Sequence, residues 1–417
     1  MENMPIIDYD EISKYLEEEK KEKTTEENET KIESNSIQQQ INAELNKLNE
    51  DNFIPIGLTR LDGIINVNPV LEFLSGIQEF EKYFIERTLK FKNNNKTYSF
   101  VTSRLFYNIY KREEIQRKKV YDSSSYLIAL QSSYSSINHE NNTEINNTEI
   151  NNIKINNILM MILYNINEET KKEKNSNENK DKFNHNNLDE VIKYGYNYYI
   201  NKNNSIITEK LNYFLLQTIE CPKCNNKYYE IKSFPTFELN ITEAYKNKIS
   251  PGGNKIISLK NCLDNETINS NKSILFYCTI CNSYIFSNKV IYQFYKLGDK
   301  LIFLLERNSD KTGNNNKSNN IILNIDEKIN MNIYSYSDNK NLFNCSNTNN
   351  LNYELIGIIS YEIEKNKYVC FLKSYYNQKW YLYIDEYTEE KNLSQILNEH
   401  NNGKYAPYTL MYSRIKN

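Results

Sequence analysis

The chain has 417 residues, 39% of them hydrophobic, and its 51 basic and 54 acidic side chains leave a formal net charge of −3. That length suffices for two ordinary domains or for one large domain with insertions. A near-neutral balance supplies no global field toward nucleic acid or an anionic membrane. There is no apolar run of about 18 residues and no cationic start leading into an apolar stretch, so an intracellular protein, cytoplasmic or nuclear, without a membrane partner is expected.

Residues 1–52 ("YLEEEKKEKTTEENETKIESN") are charged and nearly free of aromatics, too polar to bury a core, and read as a disordered arm. Residues 53–137 have helical spacing. They open on "GLTRLDGIINVNPVLEFL", where Asn68 followed by Pro69 suits a helix start, and they include "DSSSYLIALQSSY", where Asp122 is a natural N-cap. Residues 138–190 are Asn-rich, with the repeat "NNTEINNTEINN", and read as a low-complexity insertion interrupted by "ILMMILYNI". Residues 191–216 return to the helical part. Beyond them the period shifts toward two, giving β-strands over 217–290 and 291–417, with a second Asn-rich insertion near 308–320. The class is therefore α+β, a helical lobe preceding a largely antiparallel β lobe.

Four of the seven cysteines form two C-x-x-C knuckles, Cys221/Cys224 and Cys278/Cys281. Each such turn presents two thiolates on one side of a bend, and two turns complete a tetrahedral Zn²⁺ shell. Four protein ligands leave no open position, so this site is structural. Cys262, Cys345 and Cys370 read as ordinary cysteines. Only three histidines exist, His139 and His185 in the Asn-rich insertion and His400 in the polar stretch "NEHNNG", and none sits where a catalytic base would be held. No G-x-S-x-G, H-E-x-x-H or Walker-type loop is present, so the residues point to binding or scaffolding.

The order of these pieces resembles the ubiquitin-specific protease (USP) family of deubiquitinating enzymes over about residues 55–415. "GLTRLDGIINVNPVLEFL" is similar to that family's nucleophile box, and "YDSSSYLIAL" to its second box. "YFLLQTIECPKC", "FYCTIC" and "FYKLGDKLIFLLERN" follow its finger and palm strands. "YELIGIISYEIEKNKYVCFLKSYYNQKWYLYIDEY" and "YAPYTLMYSRI" are similar to its histidine box and closing strand. The resemblance implies a papain-type hand with a helical thumb (53–137, ending at 191–216), zinc-bearing β fingers (217–290) and an antiparallel β palm (291–417).

Carried over by residue, it places Ile65 at the nucleophilic cysteine, Lys367 at the base histidine, Ile384 at the orienting aspartate and Arg60 at the oxyanion asparagine. Tyr361 replaces an upstream histidine, and Asp385, next to Ile384, is a partial stand-in. The implied protein is a non-catalytic pseudo-deubiquitinase scaffold. Its partners would be ubiquitin, with Asp122 contacting the ubiquitin tail, or a ubiquitinated protein or multiprotein complex, since degenerate branches of that family serve in splicing and mRNA decay. The alternative is an active thiol-dependent deubiquitinase with Cys370 as nucleophile. A further expectation is that Ile64 and Ile65 pack together between thumb and palm, facing Ile384.

Overall fold

The computed structural model describes residues 55–415, excluding 62–63, 94–95, 111–119, 138–149, 151–152, 173–183, 203, 249–254, 269–272, 308–320 and 337–350. The expected arm 1–52, His139, Cys345, the Asn-rich repeat apart from Ile150, and the insertion near 308–320 lie outside the described residues.

The chain enters through a two-residue strand, β1 (Gly57–Leu58), and then the helices α1 (Asn68–Ser75), α2 (Gln78–Ile85), α3 (Thr88–Asn93) and α4 (Thr97–Tyr110). β2 (Val120–Tyr121) pairs parallel with β1 and leads into α5 (Ser124–Ile137). α1 is buried along its whole length, because it lies between the other helices and the palm. Its start departs from the sequence expectation. Pro69 occupies the first turn as expected, but Val67 precedes the helix and Asn68 makes no capping bond; its side chain is used elsewhere.

Next comes α6 (Ile155–Thr170), which corrects the reading of 138–190 as insertion. Ile155, Ile158, Leu159, Ile162, Leu163 and Ile166 recur at helical spacing and are all buried, so "ILMMILYNI" is part of the helical core. Its Glu169 carboxylate accepts the backbone N–H groups of Tyr98 and Ser99 at 3.0 and 2.7 Å, which caps α4. Low-complexity flanks concealed a segment whose own period is that of an amphipathic helix.

The fingers form two small sheets. β3 (Tyr213–Glu220) pairs with β4 (Lys227–Phe234) and with β9 (Val290–Lys296), all antiparallel, while β7 (Ile274–Cys278) and β8 (Ser283–Ser287) form a separate hairpin. Val191 and Ile192 pack on Phe214, Leu216 and Ile231, so the helical turns after the insertion cover the finger sheet.

The palm is an eight-stranded sheet of β5 (Phe237–Asn240), β10 (Lys300–Glu306), β12 (Lys328–Asn330), β13 (Asn352–Glu362), β14 (Lys367–Lys373), β15 (Trp380–Ile384), β16 (Tyr387–Lys391) and β17 (Tyr405–Arg414). It runs β16-β15-β14-β13-β17-β10-β5, with β12 beside β13, and is antiparallel except where β5 meets β10, while β6 (Ile256–Ser258) and β11 (Ile322–Asn324) form a separate parallel pair. Leu301, Phe303, Ile358, Phe371, Leu382 and Leu410 build its core. The exposed edge strand β16 reads "YTEEK", charges that discourage edge pairing.

Thumb and palm are fastened by polar contacts. Glu81 on α2 accepts the hydroxyls of Tyr375 and Tyr376 at 2.6 and 2.8 Å, and Lys300 lies 3.3 Å from Glu79. At Gly57 a Cβ would fall 2.5 Å from the Asp385 carbonyl oxygen, so only glycine lets β1 rest on the β15–β16 turn.

Candidate functional site

The opening loop and the β15–β16 turn meet at the thumb–palm junction. The Leu58 amide donates to the Asp385 carbonyl at 2.9 Å, and the Arg60 amide approaches Glu386 Oε1 at 3.4 Å. Asn68 is the hub of this junction. Its Nδ2 donates to the Thr59 carbonyl at 3.0 Å and to Asp385 Oδ1 at 2.8 Å, while its Oδ1 accepts the Ser123 hydroxyl at 2.7 Å. One buried amide thus holds the loop, α1, the residue preceding α5 and the palm turn in register. The Asp385 carboxylate is engaged by an amide and not by an imidazole.

Ile65 and Ile64 do not pack as a pair. Ile64 is buried, but Ile65 is 42% exposed. Adjacent residues entering a helix diverge, and the inward direction after Ile64 is taken by Asn66, whose Nδ2 donates to the carbonyls of Ile150 and Ile153 at 3.0 and 2.9 Å. Ile384 ends β15, half-buried against the palm core. Lys367 begins β14, opposite Glu362, at the end of the sheet where Ile384 lies. Arg60 is exposed. Asp122 is exposed and accepts the Ser124 amide at 2.9 Å in a turn just ahead of α5; the N-cap position the sequence suggested for it falls to Ser123, whose carbonyl accepts the Tyr126 amide at 2.9 Å.

Beneath this junction lie Glu72, which sequence reasoning missed, and Cys370, the alternative nucleophile it named. Glu72 on α1 is fully buried; burial, reinforced by the nearby Asp385 carboxylate, pushes its carboxyl well above the usual range, so it favours the protonated form. Cys370 on β14 is sealed in the palm core, and burial, with a contribution from Glu72, pushes its thiol well above its ordinary value. A buried, protonated thiol is a poor nucleophile. The signal was a glutamate inside "PVLEFL", an acid surrounded by apolar residues.

His400 is also misplaced by sequence. It lies in the helix Leu393–Asn401 and is buried against Phe371 and Tyr405. Its Nδ1 lies 2.7 Å from the Ile396 carbonyl, which must accept, so Nδ1 carries the proton and Nε2 accepts the Ser360 hydroxyl at 2.7 Å. Ser360 and His400 are both closed to solvent, so this is a packing contact. His185 stacks on Tyr228 with ring centroids 4.6 Å apart, beside the fingers.

The four knuckle cysteines do converge. Cys221 Sγ lies 3.9 Å from Cys281 Sγ and Cys224 Sγ lies 3.6 Å from Cys278 Sγ, with all four sulfurs within 4.8 Å of one another. Tetrahedral coordination with metal–sulfur bonds of about 2.3 Å requires sulfurs about 3.8 Å apart, so the cluster can hold a metal ion. The knuckle turns depend on Asn225 and Asn282, both at positive φ, the conformation that Asn tolerates best among residues with a Cβ. Among the described residues no helix is long and apolar enough to cross a membrane.

A helical thumb, an antiparallel palm and cysteine-tipped fingers define the hand architecture of ubiquitin-processing thiol hydrolases. The sequence profile described as ubiquitin carboxyl-terminal hydrolase matches residues 65–412, and the chain belongs to that family. The fold is similar to that of the SAGA Ubp8/Sgf11/Sus1/Sgf73 DUB module bound to ubiquitin aldehyde, with a TM-score of 0.57, 18% identity and coverage of 88% of this chain and 70% of that one. It is similar too to the yeast SAGA DUB module carrying a mutant Sgf73, with a TM-score of 0.54, 17% identity and coverage of 88% and 69%. No curated protein matches the sequence.

Proposed function

We propose that this chain is a non-catalytic member of its family, a pseudo-deubiquitinase that recognises ubiquitin or a ubiquitinated protein and scaffolds a multiprotein assembly inside the cell. The observation that carries this reading is Ile65. The position that the family resemblance gives to the nucleophile holds a hydrocarbon, 42% exposed beside the thumb–palm junction. Thiol hydrolysis needs a thiolate, an imidazole within reach and an orienting acid. Ile65, Lys367 and Ile384 supply none of them, and Arg60 replaces the neutral amide of an oxyanion site. The alternative nucleophile, Cys370, is buried and held protonated.

The assembly role draws on the relatives, since Ubp8 is solved with Sgf11, Sus1 and Sgf73 and with ubiquitin aldehyde. Splicing and mRNA-decay machinery are the other settings for a degenerate member. We further propose that Cys221, Cys224, Cys278 and Cys281 hold one structural Zn²⁺. Bound there, the ion ties β7–β8 to β3–β4 and supplies folding free energy to the fingers.

The test is incubation of the purified chain with ubiquitin conjugates and with a thiol-trapping ubiquitin probe, alongside a calorimetric titration with ubiquitin. No turnover and no labelling, together with saturable ubiquitin binding, are expected. Turnover that disappears in Cys370→Ser would overturn the reading in favour of an active thiol deubiquitinase.

A further inference from the structure

We propose that the fingertip hairpin is a self-association surface through which two copies of this chain pair about a two-fold axis. The β7–β8 sheet pairs with no other strand among the described residues. Phe276, Cys278 and Ile285 turn into the finger core, so strand alternation sends Leu275, Tyr277, Tyr284 and Phe286 to the opposite face. Register sets Leu275 across from Phe286 and Tyr277 across from Tyr284, whose ring centroids are 5.2 Å apart. Tyr284 and Phe286 are 72% and 69% exposed, and Ile280 at the turn is 64% exposed. Together these five side chains offer apolar surface on the order of 500 Å², the size at which an exposed patch marks an interaction site.

Charge and symmetry argue for a second copy as the occupant. From Ser273 to Val290 the only charged residue is Lys289, and its Nζ lies 2.6 Å from Glu220. On the hairpin itself a partner selected by opposite charge would find only this already paired cation, whereas two copies brought face to face place no unpaired charge of the hairpin against its own image. Two cross-strand pairs of bulky side chains form a compact apolar patch that can meet itself isologously. Two such patches bury on the order of 1,000 Å², the lower limit for a specific interface, which predicts a weak, reversible dimer. This inference is independent of whether the chain is catalytic.

Sedimentation equilibrium of the zinc-replete full chain, from low to high micromolar concentration, tests it. A monomer–dimer equilibrium is expected, weakened about tenfold or more in Tyr284→Lys and in Phe286→Lys, because each places two cations across the axis. Both residues are exposed, so zinc content and melting temperature should match the parent. Ile128→Lys, on the exposed face of α5, should leave the dimer intact. A parent that stays monomeric throughout, or lysine variants that associate as the parent does, would overturn the proposal. So would a monomeric parent whose ubiquitin binding is lost in Phe286→Lys, since the face would then belong to ubiquitin.

Discussion

His400 should make the protein acid-sensitive in a window that most folds tolerate. Burial, opposed by the Ile396 carbonyl and the Glu399 carboxylate and helped by the Arg307 guanidinium, lowers its imidazole from 6.5 to about 4. The unfolded chain therefore binds a proton below pH 6.5 that the native state refuses until about pH 4. Stability is full above 6.5 and falls as the pH drops through that window, by about 3 kcal/mol in all and by about 2 kcal/mol by about pH 5. The geometry gives the reason: a proton on Nε2 would reverse the Ser360 bond and leave the buried serine hydroxyl without its acceptor.

His400→Gln, neutral at every pH, removes this slope even though it loses part of the hydrogen bonding. Urea unfolding at about pH 7.5 and about pH 5 should show the parent losing about 2 kcal/mol more than the variant between the two conditions. With three histidines in the chain, the native imidazole can also be titrated by NMR and assigned by difference. Parallel losses in parent and variant, or a native midpoint near 6.5, would refute the reasoning.

Glu72 carries the opposite sign. Its raised carboxyl keeps a proton that the unfolded chain releases above 4.5, so stability falls as the pH rises; Glu72→Gln should abolish a slope of about 1.4 kcal/mol per pH unit in that window, and a variant less stable than the parent at neutral pH would count against a neutral Glu72. Metal analysis should return one zinc per chain, and Cys278→Ser should lose the metal and the finger signals in NMR while α1–α6 stay folded. Ile162→Ala should cost about 2–5 kcal/mol by leaving a cavity in the helical core, whereas a near-neutral result would return α6 to the status of an insertion.

The lobe order, the strand-rich second half and the cysteine knuckles were legible in the sequence because each rests on local spacing. Period-two alternation and two C-x-x-C turns need no long-range information. α6 was obscured by composition, since Asn-rich flanks dominate the window in which its helical face repeats. The Asn68 hub could not be read, because its partner Asp385 is 317 residues away and a local capping role explained the asparagine equally well. His400 was misjudged for the same reason. Its polar sequence neighbours point outward, while Phe371, Tyr405 and Ser360, which enclose it, come from three other strands. Ile65 shows the remaining gap: hydrophobicity says that a residue gains from burial, but the backbone direction at a helix entry decides which of two neighbouring isoleucines obtains it.

The clasp of Glu81 by Tyr375 and Tyr376 has a consequence for biosynthesis. The carboxylate emerges from the ribosome 294 residues before its first partner, a delay of about 15–60 s at ordinary translation rates. Throughout that interval the palm that covers α1 and α2 is incomplete, and Phe73, Phe80 and Phe84, fully buried in the finished fold, must wait with partial shelter. Apolar surface exposed during synthesis makes a nascent thumb of this kind prone to aggregation. Synonymous changes that slow translation between the fingers and the β14–β15 turn should therefore lower the yield of folded protein without altering a single contact in it.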